Sequence, residues 1–331
     1  MPDLTVNTAQ PRLGALWGTG RSGTTWLGSI VNSHPNVAYR FEPFARLKHH
    51  PRIAAAIETI NHESFSEADL PQIYDALFPA HPGVEKVPFF PKDNARSLGK
   101  SAVWAFTRKV PRLAPLMERL YSPSDTPMVV FKEVNLADLT MRFAEHTTVP
   151  LIYIVRFPCA YAASVSKGQN QGLLTAGRFK YLGAILRDNA PQLYEQFKDR
   201  LDSLSPAARN TLLWRYDLES VWPHLQKPHV MTLIYEDLCV NPMQRAEEIM
   251  AFLGLEMTQQ TRDFVQLSTS GTGGSTRTDK FVNEYFTVYR DPAESMNRWK
   301  KELDQTDRDD IASVLDNCEV YHNLRSRGFW E

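Results

Sequence analysis

The sequence predicts an α/β fold in which a parallel sheet is flanked by helices and carries helical insertions. Four short apolar runs are typical of buried strands; they span residues 12–17, 128–133, 151–156 and 230–235. A helix-like segment follows each run. Strands that alternate with helices pair in parallel, because each helix returns the chain to the same end of the sheet.

The first helix is predicted over residues 23–32, and another begins with the segment FPCAYAASVSKG after the third strand. Residues 241–255 have the clearest amphipathic pattern in the chain. One apolar stripe runs along them, formed by Ala246, Ile249, Met250 and Leu253. These patterns predict helices packed on the sheet.

The remaining segments are predicted as insertions and loops. Residues 175–222 are mostly helical in pattern, with Pro206 at a helix start. Residues 45–121 mix helical pieces with irregular chain, and residues 268–281 are rich in glycine, serine and threonine, as mobile loops are. We expect residues 45–121 and 268–290 to shape a binding site.

Composition indicates one large domain over residues 1–331, with residues 1–11 as a flexible N-terminus. The 331 residues are 43% hydrophobic and carry a formal charge of −1, which gives no reason to expect nucleic acid as a partner. Three distant cysteines form neither a disulfide framework nor a zinc spacing. Neither a signal peptide nor an integral membrane segment is predicted, so we expect a cytoplasmic protein.

Residues 17–27, WGTGRSGTTWL, follow the first predicted strand and resemble a P-loop. Gly18 and Gly23 have the spacing of the two loop glycines, but Thr24 stands where a nucleotide triphosphatase has lysine. A strand that leads into a helix N-terminus presents free backbone N–H groups to a phosphate. Hydroxyl donors at Ser22, Thr24 and Thr25 and the positive charge of Arg21 could add to them. The pattern predicts a P-loop-like sheet that binds a phosphate compound.

The third predicted strand ends at Arg156, where a triphosphatase would use a carboxylate to hold Mg²⁺. A cation at this position attracts a second anion instead. The phosphate compound is therefore expected to bind without a bridging metal ion. An atypical P-loop nucleotide kinase is the alternative, and the missing lysine and carboxylate count against it.

With these motifs the chain resembles the PAPS-dependent sulfotransferases, and most closely the carbohydrate type. PAPS is 3′-phosphoadenosine 5′-phosphosulfate, and PAP is its desulfated product. The resemblance rests on the glycine loop, on Arg156 with Ser164 eight residues later, on YEDLCVNPMQRAEEIMAFLGL and on RWKKEL. It implies PAPS as donor, no required metal and a loop that binds the 5′-phosphosulfate. The implied loop residues are Gly20, Arg21, Ser22, Gly23, Thr24, Thr25 and Trp26, with core packing as the alternative for Trp26.

The resemblance also implies a site for the 3′-phosphate, formed by Arg156 and Ser164. The usual RDP of the family is RFP here, so Phe157 replaces the aspartate. A basic loop before Trp299 is expected to close on the 3′-phosphate. Its candidate cations are Arg277, Lys280 and Arg290, and the sequence does not choose among them.

The candidates for catalysis are Glu42, Lys132 and Arg21. Glu42 follows SHPNV, as the base does in similar glycan sulfotransferases, and Glu133 is the alternative base. Lys132 ends the second predicted strand and would contact the bridging or a sulfonate oxygen, and Arg21 would stabilise the leaving group. Val134 stands where small-molecule sulfotransferases have a catalytic histidine.

The resulting prediction is in-line sulfuryl transfer from PAPS to a hydroxyl acceptor, with a glutamate as base. The resemblance implies a carbohydrate acceptor. A lipid, a polyketide or another small alcohol is the alternative acceptor. The sequence names neither the acceptor nor the oligomeric state.

Overall fold

A computed structural model describes residues 12–85, 98–122, 127–174, 177–270 and 291–330 of the chain. Five strands form one parallel sheet: β1 Leu13–Gly18, β2 Val37–Phe41, β3 Met128–Lys132, β4 Leu151–Val155 and β5 Val230–Ile234. All four predicted strands are present, each within one residue of its predicted ends. The additional strand, β2, was not predicted. The predicted α/β class is confirmed.

The strand order is β2-β3-β1-β4-β5, so β1 lies at the centre of the sheet. β3 and β4 lie on either side of β1, and β2 and β5 form the two edges of the sheet. Parallel strands all end at the same edge, and ligands of open α/β sheets bind at that edge where the order reverses. The segments after β1, β2, β3 and β4 consequently meet there.

Helices cover both faces of the sheet and form the insertions. In chain order they are α1 Thr24–Asn32, α2 Pro43–Arg46, α3 Pro51–Asn61, α4 Leu70–Leu77, α5 Leu98–Lys109, α6 Ala114–Tyr121, α7 Ala137–His146, α8 Pro158–Asn170, α9 Leu182–Asn189, α10 Pro191–Phe197, α11 Pro206–Val221, α12 Tyr235–Val240, α13 Pro242–Phe252, α14 Gln259–Thr269, α15 Pro292–Asn297, α16 Trp299–Glu302, α17 Gln305–Leu315 and α18 Glu319–Arg325.

The core lies on both faces of the sheet. Side chains alternate along β1, so that Trp17 faces one apolar cluster and Leu16 faces the other. Trp17 packs edge-on against Phe131 of β3, with ring centroids 5.3 Å apart. All residues of β1 are buried, which explains its uninterrupted apolar run.

The predicted helix starts and stripes are largely confirmed. The amphipathic stripe of Ala246, Ile249, Met250 and Leu253 is buried along and just beyond α13. Pro206 opens α11, and Ser205 caps it by accepting from the Ala208 N–H at 3.2 Å. The predicted loop 268–281 begins inside α14, and its residues from 271 onward lie outside the described part of the chain.

No described helix has both the length and the apolar character needed to cross a lipid bilayer.

Candidate active site

The loop between β1 and α1 turns through two residues in the left-handed backbone region. Arg21 and Gly23 both have positive φ angles, of 72° and 90°. The Ser22 N–H donates to the Thr19 carbonyl, and the two hydroxyls of these residues lie 2.5 Å apart. The Ser22 side chain is fully buried, so its hydroxyl stabilises the turn. The loop is thus held in shape by the buried hydroxyl groups of Thr19 and Ser22.

Gly23 is required by its surroundings as well as by its φ angle. A Cβ atom at this position would lie 2.3 Å from Cδ2 of Tyr235, the first residue of α12. The Arg156 guanidinium also lies over the Tyr235 ring, 4.6 Å from the ring centroid. Tyr235 therefore links the glycine loop to the end of β4.

The two predicted anion motifs meet at Arg21. Its Nε donates to the Ser164 hydroxyl at 3.1 Å, and its carbonyl accepts from Nη1 of Arg156 at 3.0 Å. Nη2 of Arg156 donates to the Ser295 carbonyl at 2.9 Å. Within the described residues, the buried Nε of Arg156 has no hydrogen-bond partner. Loop, strand end and helix α8 thus form one cationic cluster.

Glu42 and Lys132 are brought together by strand pairing. The register of β2 and β3 places Phe41 opposite Lys132. Glu42, which precedes α2, accepts from Lys132 Nζ at 2.6 Å through one oxygen and from Arg46 Nε at 3.0 Å through the other. Lys132 is buried and its ammonium lies 4.5 Å from the centre of the Phe41 ring. The carboxylate is therefore held between two cations.

These contacts set the charge of the pair. Burial works to raise the pKa of Glu42, but Lys132 and Arg46 outweigh it and hold this pKa below its ordinary value. Burial lowers the pKa of Lys132, and the neighbouring Glu42 opposes this change. Glu42 is consequently ionised at neutral pH and able to accept a proton.

The three residues after Lys132 have different environments. Glu133 is fully buried, and burial raises its pKa to about 8. Val134 lines the cavity described below and offers no group for proton transfer. Asn135, with a φ of 57°, accepts through Oδ1 from the Gly20 N–H at 3.0 Å. Glu133 is therefore buried away from the cavity, whereas Glu42 lines it.

A cavity of about 820 Å³ opens at this edge of the sheet. Glycine-loop residues line one part of it: Gly20, Arg21, Thr24 and Thr25. Glu42, Lys132, Arg46 and Phe41 line the adjoining wall. The predicted catalytic residues and part of the predicted donor loop therefore share one space.

The far wall of the cavity is built by α8, α11 and the segment before α9. Arg178 forms a bidentate ion pair with Asp217, with N–O distances of 2.7 and 2.9 Å. Asn210 donates to Gln169 at 3.4 Å, and Phe179 lines the same region. Asp217 and Asn210 are buried. This wall combines a charge pair, two amides and an aromatic ring.

Trp26, the last residue of the predicted donor loop, does not line the cavity. Trp26 is buried in the core beneath the loop, where it packs against Tyr235 with centroids 6.1 Å apart and donates to the Ser268 hydroxyl at 3.0 Å. This is the core-packing alternative given for Trp26. The candidate cations Arg277, Lys280 and Arg290 lie outside the described residues.

Sequence reasoning missed three contributions to the site. Asn135 and Tyr235 contact the glycine loop directly, as described above. Phe157, which replaces the family aspartate, packs against Trp299 and Trp330 with centroids 5.2 and 5.8 Å away. The matched RWKKEL segment was a signal for this contact, because it contains Trp299.

Within the described residues, no group of three or more histidine, cysteine, aspartate and glutamate side chains is arranged to hold a metal ion.

Residues 15–318 match the family described as the sulfotransferase domain. The match covers most of the chain, so this chain belongs to the sulfotransferase domain family. The resemblance predicted from the glycine loop and the Arg156–Ser164 motif is confirmed.

Two relatives are carbohydrate sulfotransferase 3 of Mus musculus, 23% identical over 309 residues, and of Homo sapiens, 24% identical over 303 residues. These alignments cover 86% and 83% of this chain but only 62% and 61% of the relatives, so the chain spans about three fifths of their length. A similar solved structure is mouse sulfotransferase SULT7A1 complexed with PAP. It is 13% identical, covers 96% of this chain and 88% of that chain, and has a TM-score of 0.47.

Proposed function

We propose that this chain transfers a sulfuryl group from PAPS to a hydroxyl of a carbohydrate. One observation carries the proposal. A cationic glycine loop and an ionised, cavity-facing glutamate line the same cavity of about 820 Å³. An anionic donor and a neutral acceptor hydroxyl need this combination, because the first requires cations and N–H donors and the second requires a base.

The loop and its neighbours fit the two phosphate groups of PAPS. Gly20 lines the cavity and has no side chain. The loop precedes the N-terminus of α1, where backbone N–H groups favour anions. Arg156 and Ser164 both contact Arg21: Arg156 donates to its carbonyl, and the Ser164 hydroxyl accepts from its Nε. The buried Nε of Arg156 has no hydrogen-bond partner among the residues that the structure describes. Arg156 and Ser164 are assigned to the 3′-phosphate.

PAPS supplies a sulfuryl group already bonded to a phosphate leaving group. In the proposed transfer, the acceptor oxygen forms a bond to sulfur while the bond from sulfur to the bridging phosphate oxygen breaks. Glu42 takes the hydroxyl proton, and PAP leaves with the negative charge. Arg21 and Lys132 are placed to stabilise charge on the bridging and sulfonate oxygens.

The far wall of the cavity supports a carbohydrate acceptor. The Arg178–Asp217 pair and the amides of Gln169 and Asn210 provide polar groups that suit an acceptor with several hydroxyls. Phe179 provides an apolar surface beside them. The names of the two mammalian relatives agree with this class of acceptor.

The donor assignment is tested by thermal unfolding with PAP. Saturating PAP at 100 times its Kd should stabilise the protein by about 2.7 kcal/mol. Arg156→Ala should abolish most of this stabilisation, while Arg187→Ala, an exposed arginine of α9, should leave it unchanged. Equal stabilisation by AMP and PAP would contradict the role of Arg156 in reading the 3′-phosphate.

A further inference from the structure

Glu133 is a buried carboxyl group beside the cavity that takes no part in the proposed transfer. It follows β3 directly and is fully buried. Its Oε1 accepts from the backbone N–H groups of Phe44 at 2.6 Å and Ala45 at 3.3 Å. Both N–H groups belong to the first turn of α2, whose N-cap residue is Glu42. Glu133 thus caps the helix that begins beside the proposed base.

Glu42 does not cap its own helix. An N-cap side chain ordinarily accepts from the first-turn N–H groups, which otherwise have no partner. Glu42 instead has a φ of 53° and makes no side-chain cap hydrogen bond. Its two carboxylate oxygens accept from Lys132 and Arg46. The capping requirement of α2 is therefore met from a neighbouring strand.

We propose that Glu133 is a positioning residue that caps α2 from β3 and thereby leaves the Glu42 carboxylate available to the cavity. The inference rests on the proposed function, because there Glu42 is the base. The left-handed backbone at Glu42 costs about 1–2 kcal/mol for a residue with a side chain, so the surrounding contacts must hold it. Glu133 provides one of these contacts, and the hydrogen bond from the Glu42 N–H to the Lys132 carbonyl, at 2.7 Å, provides another.

The charge state of Glu133 is consistent with a capping role. Burial raises its pKa to about 8, so that the carboxyl is mostly protonated at neutral pH. The ionisable groups that face it are Glu42 and Lys132, and the Tyr39 hydroxyl also senses its charge. A neutral acceptor can cap α2 without placing a second negative charge beside Glu42. A glutamine should therefore replace Glu133, whereas an apolar side chain should not.

The test compares Glu133→Gln with Glu133→Leu and Glu133→Met, which remove the acceptor oxygen but fill its space. Glu133→Gln should keep kcat within about twofold of wild type. The apolar variants should lower kcat by about 100-fold, the typical cost of a small misplacement of a reacting group. The affinity for PAP should change little in all three Glu133 variants, because the glycine loop proposed to bind PAP does not contact Glu133.

A second readout follows the Glu42 carboxyl carbon by NMR and requires no activity. In wild type and Glu133→Gln its pKa should lie below the ordinary glutamate value. In the apolar variants it should rise, because Glu42 loses its fixed contact with Lys132 while burial remains. A purely structural role of Glu133 would lower stability and PAP binding together, without this shift.

Three results would overturn the inference. Loss of activity in Glu133→Gln as complete as in Glu42→Gln would make Glu133 a proton-transfer group. An unchanged Glu42 pKa in the apolar variants would show that capping does not position Glu42. Parallel loss of PAP binding and kcat would indicate general damage. A wild-type protein that transfers no sulfuryl group would instead reject the proposed function, and the NMR titration would still decide the positioning role.

Discussion

The pairing of Glu42 with Lys132 distinguishes the proposed base from the neighbouring carboxyl group of Glu133. The two residues are distant in sequence and become neighbours because β2 and β3 pair in parallel. Glu133, adjacent to Lys132 in sequence, points into the protein and is mostly protonated at neutral pH. Alternation of side chains along an extended segment separates the two roles. Lys132 faces the cavity, and the next residue faces the core.

The pH dependence of the reaction should reveal the contact between Glu42 and Lys132. A base must be deprotonated to act, so the acid limb of kcat/KM follows its pKa. In the wild-type protein this limb should lie below the ordinary glutamate pKa, because Lys132 and Arg46 lower the pKa of Glu42. Lys132→Ala should move the limb to higher pH, since burial of Glu42 is then less opposed. An unmoved limb would contradict the assignment of Glu42 as base.

The sequence predicted Glu42, Lys132, Arg156 and Ser164 because each has a fixed position relative to a strand end or a motif. It could not predict that Arg21 bonds to Ser164, since that contact depends on how the loop turns. Asn135 was also missed, because an asparagine after a strand carries no distinctive spacing. Side chains that shape the loop from other elements are visible only in three dimensions.

At the level of single elements, the turn from β1 into α1 depends on Gly23. The glycine combines a φ of 90° with close packing against Tyr235. The positive φ angle and the close packing each disfavour a side chain at this position. The absence of a side chain lets the loop pack against α12. The predicted anion loop thus packs against Tyr235 of α12, which lies more than 200 residues later in the chain.

Gly23→Ala should lower stability and weaken PAP binding more than Gly172→Ala. Gly172 also has a positive φ, of 66°, but a Cβ there would meet no atom within 4 Å. Both variants bear the backbone cost of about 1–2 kcal/mol, so their difference isolates the clash with Tyr235. Urea unfolding and PAP titration measure the two effects. Equal losses in the two variants would show that Tyr235 does not support the loop.

The strands illustrate how far patterning predicts elements. Four strands were predicted because their apolar runs are continuous, as expected when both faces are buried. The strand β2, VAYRF, contains Arg40, which interrupts that pattern. Arg40 is nevertheless buried, because it donates to the carbonyls of Leu77 and Tyr39 and pairs with Glu85. The burial of Arg40 depends on hydrogen-bond partners elsewhere in the fold. The sequence pattern does not show these partners, so β2 was not predicted.

At the scale of the whole molecule, the last described residues are connected by hydrogen bonds to the end of β4. Trp330 is buried and donates through Nε1 to Glu236 at 2.9 Å. Glu236 also accepts from the Phe157 N–H at 3.1 Å, directly after Arg156. Phe157, which stands in place of the family aspartate, packs against the rings of Trp299 and Trp330. The C-terminal region therefore holds the end of β4 in place.

Trp330→Ala should destabilise the protein by about 3–5 kcal/mol, as expected for removal of a large buried aromatic side chain. The loss also leaves a buried Glu236 oxygen without its Trp330 donor. Asn323→Ala, at an exposed position of α18, is the matched control and should change stability by less than about 0.5 kcal/mol. Urea unfolding monitors both. A Trp330→Ala variant as stable as the control would mean that the C-terminal contacts are not needed.

The most direct test of the account is transfer of label from sulfur-labelled PAPS to a panel of carbohydrates, phenols and aliphatic alcohols. The wild-type chain should label a carbohydrate, and Glu42→Gln should reduce the rate by about 100-fold or more while PAP binding is retained. Glu58→Gln, an exposed glutamate of α3, should behave as wild type. Transfer to phenols or alcohols alone would contradict the proposed acceptor. Full activity in Glu42→Gln, or no transfer to any acceptor, would contradict the proposed mechanism or the proposed function itself.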